Sequence, residues 1–246
     1  MAFNNFESEK IRNKILEVEE LASKLKVKHF YDVIVEREKD IEQSIRVVAS
    51  INSNLFLLDS GSPTILERGV QIASQFGVIE RLMINSINYS LTDTLLKTIN
   101  RHGVRNAVLQ IFNPREHSFQ GRIKILENLL KKLGDSTIEN KIVDCAVSDL
   151  NSIPDVVQAF TYIKKQWNLL VGGAPCNLTY ILRKKEPDFL SKNFQSYDTA
   201  LNILFRSYGA DFLIYGHIKS HSRIFKAIHT YDTVKRKLSV DRSNSS

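Results

Sequence analysis

The feature that most constrains the fold is a repeated alternation of short apolar runs with longer helical stretches. The runs recur at steps of roughly 25 residues, and most of them end in a small or polar residue. Runs that are apolar throughout, separated by helices, are typical of parallel strands buried on both faces. The alternation therefore predicts an α/β fold whose strands cover residues 30–35, 54–59, 81–86, 107–112, 141–146, 169–173 and 211–216.

The chain opens with a helix, where a barrel should open with a strand. From Glu7 to Lys28, apolar residues such as Ile11, Ile15 and Val18 recur at helical spacing. Seven strands then remain, which leaves two architectures: an open doubly wound sheet, or a (β/α)₈ barrel that lacks its first strand in this chain. The length of 246 residues suits a single barrel domain. We expect one domain over residues 1–238 and a frayed, disordered polar tail over 239–246.

Charge and cysteine content narrow the class of protein. The net charge is +7, but the basic residues form short pairs on helical stretches without interleaved aromatics. These pairs are explained by a solvated helix face, or by a weakly positive face that attracts an acidic partner or an anionic cofactor tail. We do not expect binding to nucleic acid. Cys145 and Cys176 lack zinc-site spacing, and no apolar run is long enough for a signal core or a membrane span. We expect a soluble, cytoplasmic protein without a metal site or membrane insertion.

Polar residues follow most of the predicted strands. In a parallel α/β protein the carboxyl ends of the strands form the site, so these residues should meet at one mouth. Asp32 lies inside the first run and is expected to point to the same rim. The strand-end residues are Asp59-Ser60, Asn85-Ser86, Asn113, Asp144, Gly172-Gly173 leading to Asn177, and Gly216-His217.

This set suits a flat heterocycle with a donor-rich edge. A carboxylate accepts two parallel N–H bonds from an aminopyrimidine, and a carboxamide reads a ring nitrogen beside a carbonyl. The glycine pair would let the backbone approach a ligand closely. Each residue also has a structural explanation: Asp59 and Asp144 as helix caps or acceptors of backbone amides, Asn85 and Asn113 as turn residues. For His217 we favour a structural role. We interpret Cys145 as a small buried residue and not as a nucleophile.

Five segments in order resemble one family. They are Leu57-Leu58-Asp59-Ser60, Ile84-Asn85-Ser86-Ile87-Asn88, Val143-Asp144-Cys145-Ala146-Val147, Val171-Gly172-Gly173-Ala174-Pro175-Cys176-Asn177 and Gly209–Ile218. Together they resemble the H subunit of tetrahydromethanopterin S-methyltransferase, and they are similar to the methylcorrinoid:tetrahydrofolate methyltransferases. The resemblance runs from about Ile11 to Leu238.

The resemblance implies a TIM-type (β/α)₈ barrel, apparently lacking its first strand in this chain, that transfers a methyl group between a corrinoid and N5 of a tetrahydropterin. The pterin would be tetrahydrofolate or tetrahydromethanopterin, and a separate corrinoid protein would supply the corrinoid. Asn177 would be catalytic, beside N5. The residues implied in pterin binding are Asp59, Asn85, Asp144, Asp32 and Ser86. The family also suggests a homodimer.

Three departures from the family pattern leave an alternative open. Family members begin with about forty further residues that include the first strand, and this chain lacks them. Three explanations are open: a misassigned start site, another polypeptide that supplies the strand, or lost activity. Asn113-Pro114 replaces Asp-Pro, and Gly216-His217-Ile218-Lys219 replaces Gly-Pro-Ile-Glu. The alternative is a non-catalytic binding or assembly subunit of a corrinoid methyltransferase complex. A dihydropteroate synthase is a third possibility, but no lysine-and-arginine phosphate site is recognisable at the last strands.

Overall fold

A computed structural model of the protein describes residues 5–51 and 53–243, and its centre is a sheet of seven parallel strands. Each strand lies within a residue or two of its predicted position at the amino end, and most end earlier than predicted. The strands are β1 Tyr31–Ile34, β2 Phe56–Asp59, β3 Leu82–Ile87, β4 Asn106–Gln110, β5 Asn140–Asp144, β6 Leu170–Gly173 and β7 Phe212–Leu213.

Helices alternate with the strands over the described ranges. The predicted opening helix is present, with Ile15, Val18 and Ala22 buried on one face. The helices are α1 Asn5–Leu25, α2 Glu38–Ile51, α3 Pro63–Gln75, α4 Asp93–His102, α5 Phe119–Lys132, α6 Ile153–Trp167, α7 Pro175–Lys185, α8 Pro187–Ser207 and α9 His221–Ser243. Within the described residues, no helix combines the length and the apolar character that crossing a membrane requires.

The strand order decides between the two predicted architectures. Every strand pairs with its sequence neighbours, in the order β1 to β7, whereas a doubly wound sheet reverses its order at a switch point. The sheet also curls, because Phe212 of β7 packs against an inner cluster that includes Leu57 of β2. The prediction of a TIM-type barrel lacking a strand is therefore confirmed.

The two faces of the sheet have different neighbours. One face carries residues such as Leu58, Ile84 and Val143, which are fully buried in the main core with the helices. The other face carries a small inner cluster of Leu57, Met83, Val108 and Ile142. Because side chains alternate along a strand, the residues two positions beyond this inner cluster also face inward, at the carboxyl ends of their strands.

The barrel has an open seam between β7 and β1. Among the described residues these strands do not pair with each other, although the helices outside them, α9 and α1, are in contact. His229 Nδ1 lies 3.0 Å from the carbonyl oxygen of Leu25, which joins the two helices. Ile34 lies in register with Asp59 on the inner side of β1 and is 68% exposed. The outer ring of helices thus closes while the inner sheet does not.

Local signals set several helix boundaries. Ser62 is the N-cap of α3, and its hydroxyl accepts a hydrogen bond from the Ile65 N–H with Pro63 in the first turn. At α4 the N-cap is Thr92. At the carboxyl end, α9 continues through Ser243, and residues 244–246 lie outside the described residues, so the frayed tail stays a prediction.

Candidate functional site at the carboxyl ends of the strands

The curled sheet brings acidic and amide side chains from separate strands to one end of the barrel. Asp59 and Asp144 are the last residues of β2 and β5, and Asn85 lies in β3 in register with Asp59. Asn85 and Asp144 are almost fully buried, with 4% and 3% of their surface exposed. Asp32 of β1 lies close enough to bond with Asn85 across the intervening strand. These four predicted residues therefore share one region.

Asp32, Asp59 and Asn85 form one hydrogen-bonded group. The Asn85 Nδ2 amide donates to Asp32 Oδ1 at 3.1 Å, and a hydrogen bond joins the Asp32 and Asp59 carboxyl groups. Burial raises the pKa of both carboxyls, and the neighbouring negative charges of Asp32 and Asp144 raise the pKa of Asp59 further. The two carboxyls therefore share a proton near neutral pH, with Asp59 as the donor and Asp32 as the acceptor.

Asp144 is oriented by its own set of contacts. Its Oδ1 accepts the Ala146 N–H at 2.8 Å, and its Oδ2 accepts from Gln110 Nε2 at 3.4 Å. Burial raises the pKa of Asp144, while these two hydrogen bonds and the charge of Arg122 act in the opposite direction. A ligand with N–H donors would find the remaining lone pairs of this carboxylate already positioned.

Arg122 is a fully buried arginine behind the site. Its guanidinium donates to the backbone carbonyls of His117, Ser118, Cys145 and Ala146. These bonds hold the loop after β5, and Ala146 in that loop has a φ of +43°, a conformation that L-residues rarely adopt. On a surface helix of the sequence Arg122 looks like an ordinary exposed cation, so sequence reasoning missed it.

A cavity of about 420 Å³ opens beside Asp144 and Asn177. Its volume is in the range of small-molecule sites. Phe112 and Tyr180 contribute rings to the lining, and Gln110 and Ser148 contribute polar groups. The Ser148 hydroxyl oxygen is buried and has no hydrogen-bond partner among the described residues. A buried polar atom of this kind is costly unless a ligand or water bonds to it, so the lining has an unused donor and acceptor.

Asn177 lies in the first turn of α7 and is exposed to the cavity mouth. Its backbone N–H donates to the Ala174 carbonyl at 2.9 Å, and its side-chain oxygen accepts a weak bond from the Cys176 thiol at 3.7 Å. Its amide NH₂ group has no hydrogen-bond partner within residues 5–51 and 53–243, so it is available to a ligand. The predicted catalytic residue and Asp144 line the same cavity.

Other strand-end residues have structural roles. Asn113 is a turn residue, since its oxygen accepts from the Arg115 and Glu116 N–H groups. His217 caps a short 3₁₀ turn by accepting from the Lys219 N–H at 3.1 Å. Ser86 accepts from Asn88 Nδ2 at 3.5 Å, and no hydrogen bond joins it to the Asp32 group within the described residues.

Gly172 and Cys145 also have structural explanations. A Cβ on Gly172 would lie 2.2 Å from the Phe212 carbonyl oxygen, so the absent side chain makes room for β7 rather than for a ligand. Cys145 is fully buried, and burial and the charge of Asp144 raise the pKa of its thiol, which makes it a poor nucleophile.

A larger groove of about 720 Å³ lies on α8, between β6 and β7 in the chain. Most of its lining comes from one face of that helix, together with Arg223, which is paired with Asp198 at 2.6 Å. It contains none of the predicted site residues. The smaller cavity is therefore the better candidate for a ligand site.

Comparison with known proteins identifies the family. Residues 3–243 match the family model described as "Tetrahydromethanopterin S-methyltransferase MtrH subunit". The chain belongs to this family. The family resemblance inferred from the sequence is thereby confirmed.

The individual family members that match have low sequence identity to this chain. The chain is 25% identical to the H subunit of tetrahydromethanopterin S-methyltransferase from Methanopyrus kandleri over 250 residues, 93% of this chain and 78% of that protein. It is 24% identical to the corresponding H subunit from Methanothermobacter marburgensis over 234 residues, 90% of this chain and 75% of that protein. It is 26% identical to the H subunit of the putative methyltransferase mtx from Methanosarcina barkeri, over 76% of this chain and 64% of that protein.

Proposed function

We propose that this MtrH-family chain is a methyltransferase that moves a methyl group between N5 of a tetrahydropterin and a corrinoid held by a partner protein. The observation that carries the proposal is the convergence of Asp144 and Asn177 on one cavity, with the Asp32–Asp59–Asn85 group next to it. The names of the relatives favour tetrahydromethanopterin as the pterin, with tetrahydrofolate as the second candidate.

The ring edge of the pterin is assigned to the carboxyl groups. Asp144 would accept the paired N–H donors of the aminopyrimidine, and charge-assisted bonds of this kind are the stronger ones. Asn85 donates one amide N–H to Asp32, so its second N–H and its carbonyl oxygen would present a donor and an acceptor, which matches a ring nitrogen beside a carbonyl. Gln110 fixes the Asp144 carboxylate, and the rings of Phe112 and Tyr180 provide flat apolar walls.

Asn177 is assigned to N5. An N5-methyl amine is a poor leaving group unless N5 is protonated or hydrogen-bonded as the methyl departs. The free amide of Asn177 would stabilise the charge that changes at N5, and such assistance is typically worth about 10²–10⁴ in rate. No side chain of the cavity needs to act as a nucleophile, which agrees with the buried, high-pKa thiol of Cys145.

The corrinoid fits as a group brought by a partner protein. When bound there, it supplies the cobalt centre that exchanges the methyl group. The exposure of Asn177 supports this, because the reacting end of the pterin must face the partner. A homodimer, and a polypeptide that supplies a strand between β7 and β1, belong to the same proposal. We also propose a cytoplasmic setting, in which the free cysteines Cys145 and Cys176 stay reduced.

The test is a methyl-exchange assay with purified chain, a methylated corrinoid protein from the same organism, and each of the two tetrahydropterins. We expect transfer with at least one pterin, together with saturable binding of that pterin by isothermal titration calorimetry. If correctly folded protein binds neither pterin, the proposal is wrong.

The open seam favours one alternative, a non-catalytic binding or assembly subunit. Unpaired strand edges are positions at which another chain can add a strand. Lys219, exposed in the turn after β7, replaces an acidic residue of the family pattern and adds a positive charge there. Stable co-purification with a corrinoid protein without methyl exchange would favour this alternative over the enzyme.

A further inference from the structure

Arg183 packs against the outer side of Tyr180, one of the two aromatic residues that line the cavity. The guanidinium carbon of Arg183 lies 5.3 Å from the centroid of the Tyr180 ring and 5.0 Å from that of the Phe194 ring. The two rings are themselves 5.1 Å apart. A guanidinium that stacks on two aromatic rings keeps its position without using its N–H donors.

Those donors are unused among the described residues. Arg183 forms no hydrogen bond or ion pair there, and neighbouring Glu186 does not pair with it. Arginines on the two following helices differ: Arg206 of α8 bonds to Asp232, and Arg223 of α9 bonds to Asp198. Arg183 therefore presents an ordered cation without a counter-ion, in a helical turn that also contains Lys184 and Lys185.

The spacing along α7 relates this cation to the proposed pterin. Asn177, Tyr180 and Arg183 follow one another at intervals of three residues, so each is turned about 60° around the axis of α7 from the one before. Arg183 lies about 9 Å along the axis from Asn177, and its contact with the Tyr180 ring brings it to the border of the cavity. In reduced pterins the tail is attached to C6, next to N5. A ring whose N5 lies beside Asn177 would therefore start its tail at the amino end of α7.

We propose that Arg183 binds an anionic group, a carboxylate or a phosphate, on the tail of the pterin whose ring occupies the cavity. The inference rests on the proposed function. A planar guanidinium fits both anions through two parallel N–H bonds, and both candidate pterins carry such a group on the tail. The acidic surface of a partner protein is the competing occupant, and the experiment separates the two.

The experiment uses the full chain and three titrations by calorimetry at low salt: methyl-tetrahydromethanopterin, methyl-tetrahydrofolate and a tetrahydropterin with only a methyl group at C6. The variant is Arg183→Met, which keeps an apolar stem against the two rings and removes the charge. Arg183→Lys keeps the charge and removes the paired donors. The matched control is Arg101→Met, an exposed arginine in the last turn of α4.

We expect Arg183→Met to weaken binding of at least one tailed pterin about three- to fivefold and to change the affinity for the tail-less pterin less than twofold. An exposed charge pair gives an effect of this size, and it should shrink at high salt. Arg183→Lys should fall between wild type and Arg183→Met, and Arg101→Met should match wild type. A loss with methyl-tetrahydrofolate would identify a carboxylate as the bound anion, because its tail carries no phosphate.

Two outcomes overturn the inference alone. One is an equal loss for tailed and tail-less pterins, which would mean that Arg183 only supports the Tyr180 wall. The other is unchanged affinity for all three pterins, whatever happens to partner binding. A fourth titration, with the corrinoid protein, then shows whether Arg183 binds an acidic partner surface instead. Failure of wild type to bind all three pterins would instead overturn the proposed function, and the inference with it.

Discussion

The two sides of the candidate site satisfy their polar groups in different ways. On one side, Asp32, Asp59 and Asn85 bond to one another across three strands. On the other side, Asn177 keeps a free amide and Ser148 a hydroxyl without a partner among the described residues. Hydrogen bonds within the first group fix its proton and its side-chain positions. The unpaired groups are stabilised only when a ligand bonds to them. We infer that the first side is preorganised and that the second side provides the binding response.

The largest expected effect tests the reactive end of the open side. Asn177→Ala should lower the rate of methyl transfer about 10²–10³-fold, because the charge at N5 loses its hydrogen bond in the transition state. Pterin affinity should change only a few-fold. The rate is measured in single turnovers, with Asn128→Ala, an exposed amide on α5, as the control. A parallel loss of rate and affinity would place Asn177 in ground-state binding instead.

The next effect tests the carboxylate of the open side. Asp144→Asn keeps the shape and removes the charge, so it should weaken pterin binding about 10–100-fold, the worth of one or two charge-assisted hydrogen bonds. Calorimetry measures the affinity, and Asp135→Asn in an exposed loop is the matched control. Wild-type affinity in the variant would show that the ring edge binds elsewhere.

The internally bonded side should make the stability of the folded chain depend on pH. Asp59 and Asp32 have pKa values raised to about 7 and about 6, so the folded chain keeps protons that the unfolded chain releases above about pH 4. These carboxyls therefore favour the folded state at low pH, and that contribution is lost as the pH rises through 6 to 7. For each proton that only the folded state retains, the free energy of unfolding falls by about 1.4 kcal/mol for every unit by which the pH rises.

Asp59→Asn removes part of this titration. We expect the variant to gain stability relative to wild type as the pH rises from 5 to 8, measured by urea unfolding of the ligand-free proteins. Asp135→Asn should keep a constant difference from wild type over the same range. A constant difference for Asp59→Asn as well would mean that the pair does not share a proton.

The smallest effect concerns the unpaired hydroxyl. Ser148→Ala removes a buried polar atom that has no partner in the described structure, so thermal stability should stay equal or rise slightly. Pterin affinity should fall about three- to tenfold if the ligand uses the hydroxyl. Reduced stability with unchanged affinity would contradict this assignment and indicate a structural role.

The comparison also explains how far the sequence alone could lead. Asp59 and Asp144 could be predicted because a parallel sheet brings the ends of its strands together, whatever the distance along the chain. Gln110 was missed because the fourth strand was predicted to extend to residue 112, which placed Gln110 inside it. Its position at the end of β4, level with Asp144, depends on where the ladder stops.

Other features depend on three-dimensional contacts that leave no pattern in the chain. The missing partner of Ser148 and the burial of Arg122 are properties of the packed loop after β5. The clamp around Arg183 requires Phe194 from the following helix. In contrast, the helical period of α1 and the alternation of strands and helices are local, so the architecture could be predicted from them.

The central claim is that acidic and amide groups from separate strands bind one reduced pterin ring. The most direct test is an experimental structure of the chain with a methyl-tetrahydropterin bound. We expect the aminopyrimidine edge on Asp144 and the Asp32–Asp59–Asn85 group, with N5 within about 3.5 Å of the Asn177 amide. A ring bound in the groove on α8, or with its N5 turned away from Asn177, would contradict the account.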